Sequence, residues 1–210
     1  METKLIVARH GETEWNTQGR VQGHLDSPLT DRGRRQSEAL ARAVAAEPIA
    51  AIYSSDLGRA LDTAAPVARA FGLAVRMELR LRERHLGVFQ GLTFVDAARI
   101  HPELHARYRA RDRGERLLTG ESLEDVRVRI EDALASIAVA HPDRVVLVVT
   151  HGGALDQIFR LATGMPLEAP RDFGVENASI NRLRWSDGRL SLDEWGDVSH
   201  RASDGPGAEF

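Results

Sequence analysis

Four short polar runs hold most of the chemistry available to this chain. Arg9-His10-Gly11-Glu12-Thr13 follows the apolar run Lys4-Leu5-Ile6-Val7-Ala8. Ser54-Ser55-Asp56-Leu57-Gly58-Arg59 follows Ile49-Ala50-Ala51-Ile52-Tyr53, and Thr150-His151-Gly152-Gly153 follows Val145-Val146-Leu147-Val148-Val149. The fourth run is Leu81-Arg82-Glu83-Arg84-His85. Arginine offers a planar fork matched to phosphate oxygens. An imidazole can attack phosphorus and form a covalent intermediate, and a carboxylic acid such as Glu83 can protonate a leaving oxygen. Two histidines and two arginines at strand ends therefore suit phosphoryl transfer, which asks chiefly for positioning and positive charge. A His/Glu metal site is the weaker reading: arginines would repel a divalent cation, and the His-Glu-x-x-His helical spacing is missing.

These residues can meet only if the strands before them are neighbours. Short β-branched runs alternate with longer Ala/Arg/Leu segments, which predicts an α/β fold: three layers, α/β/α, around a mostly parallel central sheet. Such sheets bind ligands beyond the carboxyl ends of their strands, where three of the polar runs sit. A weaker strand is expected over 73–77, and a late pair over 179–185 and 190–195. The Asp187-Gly188 step between that pair favours a hairpin. Thr30 can cap a helix running to about Ala46, and another is expected from Asp56 to about Phe71. Ser122-Leu123-Glu124-Asp125 has the form of a capping box. Leu123, Val126, Ile130, Leu134 and Ile137 then step along one helical face. A further helix starts near Gly153 and stops at Gly164-Met165-Pro166. Residues 84–120 fit the alternation poorly and are expected to form an Arg-rich helical excursion, a lid over one edge. Residues 1–200 are expected to be one domain, with 201–210 a flexible tail.

Composition narrows the classes further. The chain has 210 residues, no cysteine, 28 basic and 31 acidic residues, and a net charge of −3. The missing cysteines exclude disulfides, thiolate zinc sites and thiol nucleophiles. The slight acidity argues against a nucleic-acid partner. Lys4 is the sole lysine among the basic residues, a bias spread along the whole chain, so it locates no site. The first residues have too short an apolar run for a secretory signal, and no run approaches a membrane span. The expectation is a cytoplasmic protein without a membrane partner; association as a homodimer stays open.

The same runs resemble the histidine phosphatase superfamily, in its phosphoglycerate-mutase-like branch. Leu5-Ile6-Val7-Ala8-Arg9-His10-Gly11-Glu12-Thr13-Glu14-Trp15-Asn16 looks like that family's opening, continued by Gly19-Arg20-Val21-Gln22-Gly23 and Asp26-Ser27-Pro28-Leu29-Thr30. Blocks around Ser54–Ala64, Leu81–Gly91 and Val148–Gly153 follow in the family's order. The resemblance implies a phosphoglycerate-mutase-like fold with His10 as the nucleophile that becomes phosphohistidine. It implies that Arg9, Arg59 and His151 hold the phosphoryl oxygens, with Asn16, Gln22 and the Gly152 amide adding hydrogen bonds. Glu83 would protonate the leaving alcohol and later activate water. No metal or cofactor is implied. For attack, His10 must keep its other nitrogen on a fixed acceptor, for which the Gly11 carbonyl is a candidate. His24, His101 and His105 read as loop or surface residues, and Glu12 as shaping the first loop.

Within the family, a mutase must shield its phosphohistidine from water, whereas a phosphatase admits it. The mutases' Leu-Asn-Lys step after the third block is replaced here by Gly91-Leu92-Thr93-Phe94. The favoured reading is therefore a metal-independent phosphomonoester hydrolase acting on a small phosphorylated metabolite. The alternative is a cofactor-dependent phosphoglycerate mutase, with Arg107, Arg109 or Arg111 supplying the carboxylate contact. A catalytically idle phospho-ligand binding module is the reading from another class; retention of His10, Arg9, Arg59, Glu83 and His151 together argues against it.

Overall fold

The computed structural model describes residues 2–201, so the tail expected over 201–210 lies, except for Arg201, outside the described residues. Its framework is a six-stranded sheet. The strands are β1 (Glu2–Arg9), β2 (Ile49–Ser54), β3 (Val75–Met77), β4 (Val145–Thr150), β5 (Ile180–Ser186) and β6 (Arg189–Asp197). They lie in the order β3-β2-β4-β1-β5-β6. The first four are mutually parallel, and β5 and β6 add an antiparallel edge. The helices are α1 (Glu14–Thr17), α2 (Asp31–Ala43), α3 (Gly58–Phe71), α4 (Phe94–Ile100), α5 (Pro102–Arg109), α6 (Leu123–Ala140) and α7 (Gly152–Thr163).

Side-chain alternation along the central strands builds the layers. Leu5, Val7, Val146 and Val148 face one way and pack on α6 and α7 through Ile130, Leu134, Ile137, Leu155 and Ile158. Ile6, Ala8, Leu147 and Val149 face the other way, against Leu40 and Val44 of the α2 layer and Ala60, Ala64 and Val67 of α3. All six residues of β4 are buried, as a strand covered on both faces requires.

Local chemistry sets most boundaries. The Thr30 side chain accepts from Gly33 N–H at the start of α2, and the Ser122/Asp125 capping box opens α6. Asp187 and Gly188 both have positive φ in the two-residue loop joining β5 to β6, the geometry of a type I′ turn. Three expectations needed trimming. Helix α2 stops at Ala43, capped by Val44. Helix α3 begins at Gly58, because residues 55–57 turn the chain off β2. The weak third strand shrinks to three residues that pair only with β2.

Residues 84–120 hold α4, α5 and a 3-10 turn at Gly87–Phe89 around a small separate core of Val21, Phe89, Ala97 and Leu117. Arginines bind this segment to its neighbours. Arg111 pairs with Asp156 of α7 and donates to the Leu167 carbonyl, Arg113 pairs with Glu124 and Glu168, and Arg116 pairs with Asp125. Ile130 on α6 is fully buried in the larger core. Ile130→Ala should cost about 2–5 kcal/mol of stability through lost transfer energy and the cavity left behind, read as a fall in the urea midpoint.

Candidate active site

The register of β1 against β4 decides what meets. Arg9 lies beside Thr150, and His10 N–H donates to the Thr150 carbonyl at 2.9 Å. His10 and His151 thus leave the sheet side by side, with ring centroids 5.2 Å apart. Both are buried. His10 Nδ1 lies 2.8 Å from the Gly11 carbonyl, the acceptor named from the sequence. A carbonyl only accepts, so Nδ1 carries the proton and Nε2 keeps its lone pair. The loop is held from several sides. Gly11 N–H donates to Thr63 Oγ1, and Asn177 Nδ2 donates to the His10 carbonyl. A Cβ on Gly11 would come within 2.6 Å of the Gly33 carbonyl oxygen, so this close pass under α2 requires glycine.

Both arginines are used on one edge and free on the other. Arg59 Nη1 donates to Asp26 Oδ1 and the Leu25 carbonyl, and its Nη2 to the Gly23 carbonyl. Its buried Nε has no protein partner, so Nε–H and one Nη2–H remain as a fork. Arg9 Nη1 donates to the Val175 carbonyl at 2.6 Å, and its Nε is likewise buried without a partner. Neither nitrogen of His151 has a partner, nor does Gln22 Oε1. Orphaned polar atoms of this kind are rare in folded interiors, and here they come from four of the residues read from the sequence.

Glu83 reaches the same rim because Thr150 Oγ1 donates to the Leu81 carbonyl at 2.7 Å, tying its segment to the end of β4. Its Oε2 accepts from Gly153 N–H at 3.0 Å, in the first turn of α7, and its Oε1 from Arg84 N–H at 2.7 Å. A Cβ at Gly153 would lie 2.3 Å from Oε1, so any larger residue there would push the carboxylate out of this position. Gly152, one residue earlier, opens α7 with no side-chain cap, and the Arg9 guanidinium lies over it. Asn16 belongs to a capping box with Thr13. Its Oδ1 accepts from Thr13 and Asn177, and none of these bonds uses its amide nitrogen.

Positive charge dominates this space. Burial, then Arg59 and Arg9, push the His10 pKa well below the ordinary histidine value. The same causes, with His10 added, do so for His151. Burial, reinforced by Arg171 and Arg59, pushes Arg9 down to about 10 despite Glu83 and Glu176. At neutral pH both imidazoles are uncharged and both guanidinia charged.

Several residues here carried no signal in the sequence. Asn177 and Thr63 hold the His10 loop. Arg129 and Glu121 brace the Glu83 segment. His24, read as a loop residue, donates from Nε2 to the Glu83 carbonyl at 2.8 Å. His101 and His105 sit against the Phe89 ring, and Glu12 accepts from Thr30 and faces Arg32. The first five are found from their bonds to main-chain amides and carbonyls, since a main-chain partner has no residue type.

An α/β sheet with a buried pair of imidazoles, two guanidinium forks and a carboxylate at the carboxyl ends of its strands defines a protein built to handle phosphoryl groups. Residues 5–198 match the histidine phosphatase superfamily, branch 1, and the chain belongs to that family. It is 38% identical over 201 residues to a phosphoglycerate mutase-like protein 4 of Arabidopsis thaliana, covering 94% of this chain and 86% of the relative. It is also 38% identical over 207 residues to a metal-independent phosphoserine phosphatase of that plant, covering 97% and 85%. Among solved structures, Bacillus stearothermophilus YhfR superposes with a TM-score of 0.90 at 34% identity, covering 95% of this chain and 99% of the other. A mycobacterial glucosyl-3-phosphoglycerate phosphatase superposes with a TM-score of 0.85 at 34% identity, covering 94% and 100%.

Depressed histidine pKa values have a measurable consequence. Below pH 6.5 the unfolded chain takes up protons at His10 and His151 that the folded chain refuses. Stability should therefore fall as pH drops below 6.5, by about 1.4 kcal/mol per pH unit for each of the two groups. His10→Asn should flatten this slope by one proton in urea unfolding between pH 5 and 6.5. An unchanged slope would mean that His10 titrates normally.

Proposed function

We propose that this chain hydrolyses phosphomonoesters of small metabolites through a phosphohistidine at His10, acting in the cytoplasm without a metal. The observation that carries the reading is the convergence of unpartnered donors from Arg9, Arg59 and His151 around the free Nε2 of His10. A phosphoryl dianion is the ligand that satisfies these groups together and supplies the negative charge they lack.

The step follows from the geometry. The two guanidinium forks, His151, Gln22, the Asn16 amide and Gly152 N–H take the phosphoryl oxygens. The Nε2 lone pair of His10 forms a bond to phosphorus as the ester P–O bond breaks, and protonated Glu83 gives its proton to the leaving alcohol. The Gly11 carbonyl supports the positive charge that grows on the ring. In the second half, the Glu83 carboxylate takes a proton from water as the water oxygen bonds to phosphorus and the P–N bond breaks. Inorganic phosphate leaves, and His10 and protonated Glu83 are restored. The arginines supply the charge stabilisation that a metal would otherwise provide.

A mutase is disfavoured by what the arginine run does. Arg107 pairs with Asp112 and Glu115, and Arg111 with Asp156, so two of the three side chains assigned to a glycerate carboxylate are bound elsewhere. With 3-phosphoglycerate in chelator, phosphorus NMR should show inorganic phosphate appearing without a bisphosphoglycerate primer. Primer-dependent formation of 2-phosphoglycerate would establish the mutase.

His10→Ala should abolish both turnover and the acid-labile phosphoprotein trapped with labelled substrate. Retained activity would exclude His10 as the nucleophile. Glu83→Gln should lower kcat/KM, which reports the step in which the alcohol leaves, at least about tenfold more for esters of poor leaving groups than for activated aryl esters, because general acid catalysis typically contributes about 10²–10⁴-fold. Equal losses on both would remove Glu83 from the donor role.

A further inference from the structure

Glu83 can donate a proton usefully only if its carboxyl stands where the leaving oxygen will be, yet it lies on an irregular segment. Its flanks are 3-10 turns at Leu79–Leu81 and Gly87–Phe89, with no sheet or helix ladder to fix its main chain. Two side chains from distant parts of the sequence converge on its carbonyl oxygen. Arg129, midway along α6, donates from Nη2 at 2.9 Å. His24 donates from Nε2 at 2.8 Å.

Arg129 uses all five of its N–H donors here. Nε and Nη2 give to the two oxygens of Glu121, and Nη1 gives to the Arg80 and Arg82 carbonyls at 2.7 Å each. The remaining Nη2 hydrogen goes to Glu83. Glu121 Oε2 in turn accepts His85 N–H, the main chain two residues past Glu83. One guanidinium thus sets the carbonyls of residues 80, 82 and 83 together. A lysine, with three donors from one point, cannot do so.

His24 approaches from another loop. Its own N–H is held by Gln90 Oε1 at 2.7 Å, and its ring stands edge-on to His85 with centroids 4.9 Å apart. The residues on either side of it, Gly23 and Leu25, give their carbonyls to Arg59. The guanidinium assigned to the phosphoryl group therefore also fixes the loop that carries His24.

We propose that Arg129 and His24 are positioning residues for Glu83, with His24 mechanically linking the Arg59 phosphate fork to the proton donor. The proposal rests on the reading of Glu83 as general acid. Neither residue touches the reacting atoms. Each acts by holding the Glu83 main chain while the Gly153 and Arg84 amides hold its carboxylate.

The experiment measures kcat and KM for aryl phosphates graded from p-nitrophenyl to phenyl phosphate. The variants are Arg129→Lys, His24→Ala, His24→Gln and Glu83→Gln, each with its thermal midpoint recorded. Misplacing a reacting group by about 1 Å can cost about 100-fold. Arg129→Lys and His24→Ala should lower kcat/KM, which reports the P–O cleavage step alone, about tenfold or more on phenyl phosphate while leaving it nearly unchanged on p-nitrophenyl phosphate. The leaving-group dependence should steepen in the same sense as in Glu83→Gln. His24→Gln, which keeps an N–H donor at similar reach, should recover most of the loss. Losses of kcat/KM equal across the series, or no loss, would overturn the proposal while leaving Glu83 as donor if its own variant steepens the series. A flat response in Glu83→Gln would remove the donor and the positioning role together. Should Arg129→Lys fail to fold, the His24 pair decides alone, since that side chain is only partly buried.

Discussion

Everything at the rim depends on β1 and β4 lying parallel, with Arg9 opposite Thr150. A shift of one residue would turn every core side chain of β1 to the other face, and it would also carry His10 away from His151. The shift is forbidden by the same valines, leucines and isoleucines that bury all of β4 and residues 5–8 of β1. Packing in the core and alignment of the imidazoles are therefore one constraint. Substitutions that loosen the β1–β4 pair thus threaten this alignment even where they lie far from His10.

That alignment has an electrostatic consequence. Arg59 shares its charge with Asp26, while Arg9 is anchored by a neutral carbonyl. Two buried imidazoles beside these cations stay neutral because a further positive charge there would be costly. The depressed histidine pKa values and the unpartnered Nε atoms thus belong to one buried, positively charged space, which fits the dianion proposed above. Neutral His10 is also the form that the proposed attack requires, and burial, reinforced by the two guanidinia, keeps it in that form.

Much of this was legible in the sequence, for a physical reason. His10, His151 and Arg59 follow strongly apolar strands, and strand ends are where an α/β sheet puts its ligands, so position and residue type spoke together. The Gly11 carbonyl could be named because it adjoins His10. Arg129, His24, Asn177 and Thr63 were not legible, because each binds main-chain atoms or another loop more than forty residues away in sequence. The excursion over 84–120 was readable only as an exception. Its core is four buried residues, too few to impose a clear period, so the chain breaks into two short helices and a 3-10 turn.

The excursion is fastened to the rest of the protein through α7. Asp156, buried in α7, joins Arg111 of the excursion to Arg160 of its own helix, and Arg160 reaches the Pro166 carbonyl. A carboxylate between two guanidinia in a buried position is costly to break, since one charge would be left without compensation. Arg111 also carries a positive φ, a strained backbone that persists because its surroundings hold it. These contacts run into α7, whose first turn holds Glu83 through Gly153. The excursion read from the sequence as a lid is thus tied by ion pairs to the helix whose first turn meets Glu83.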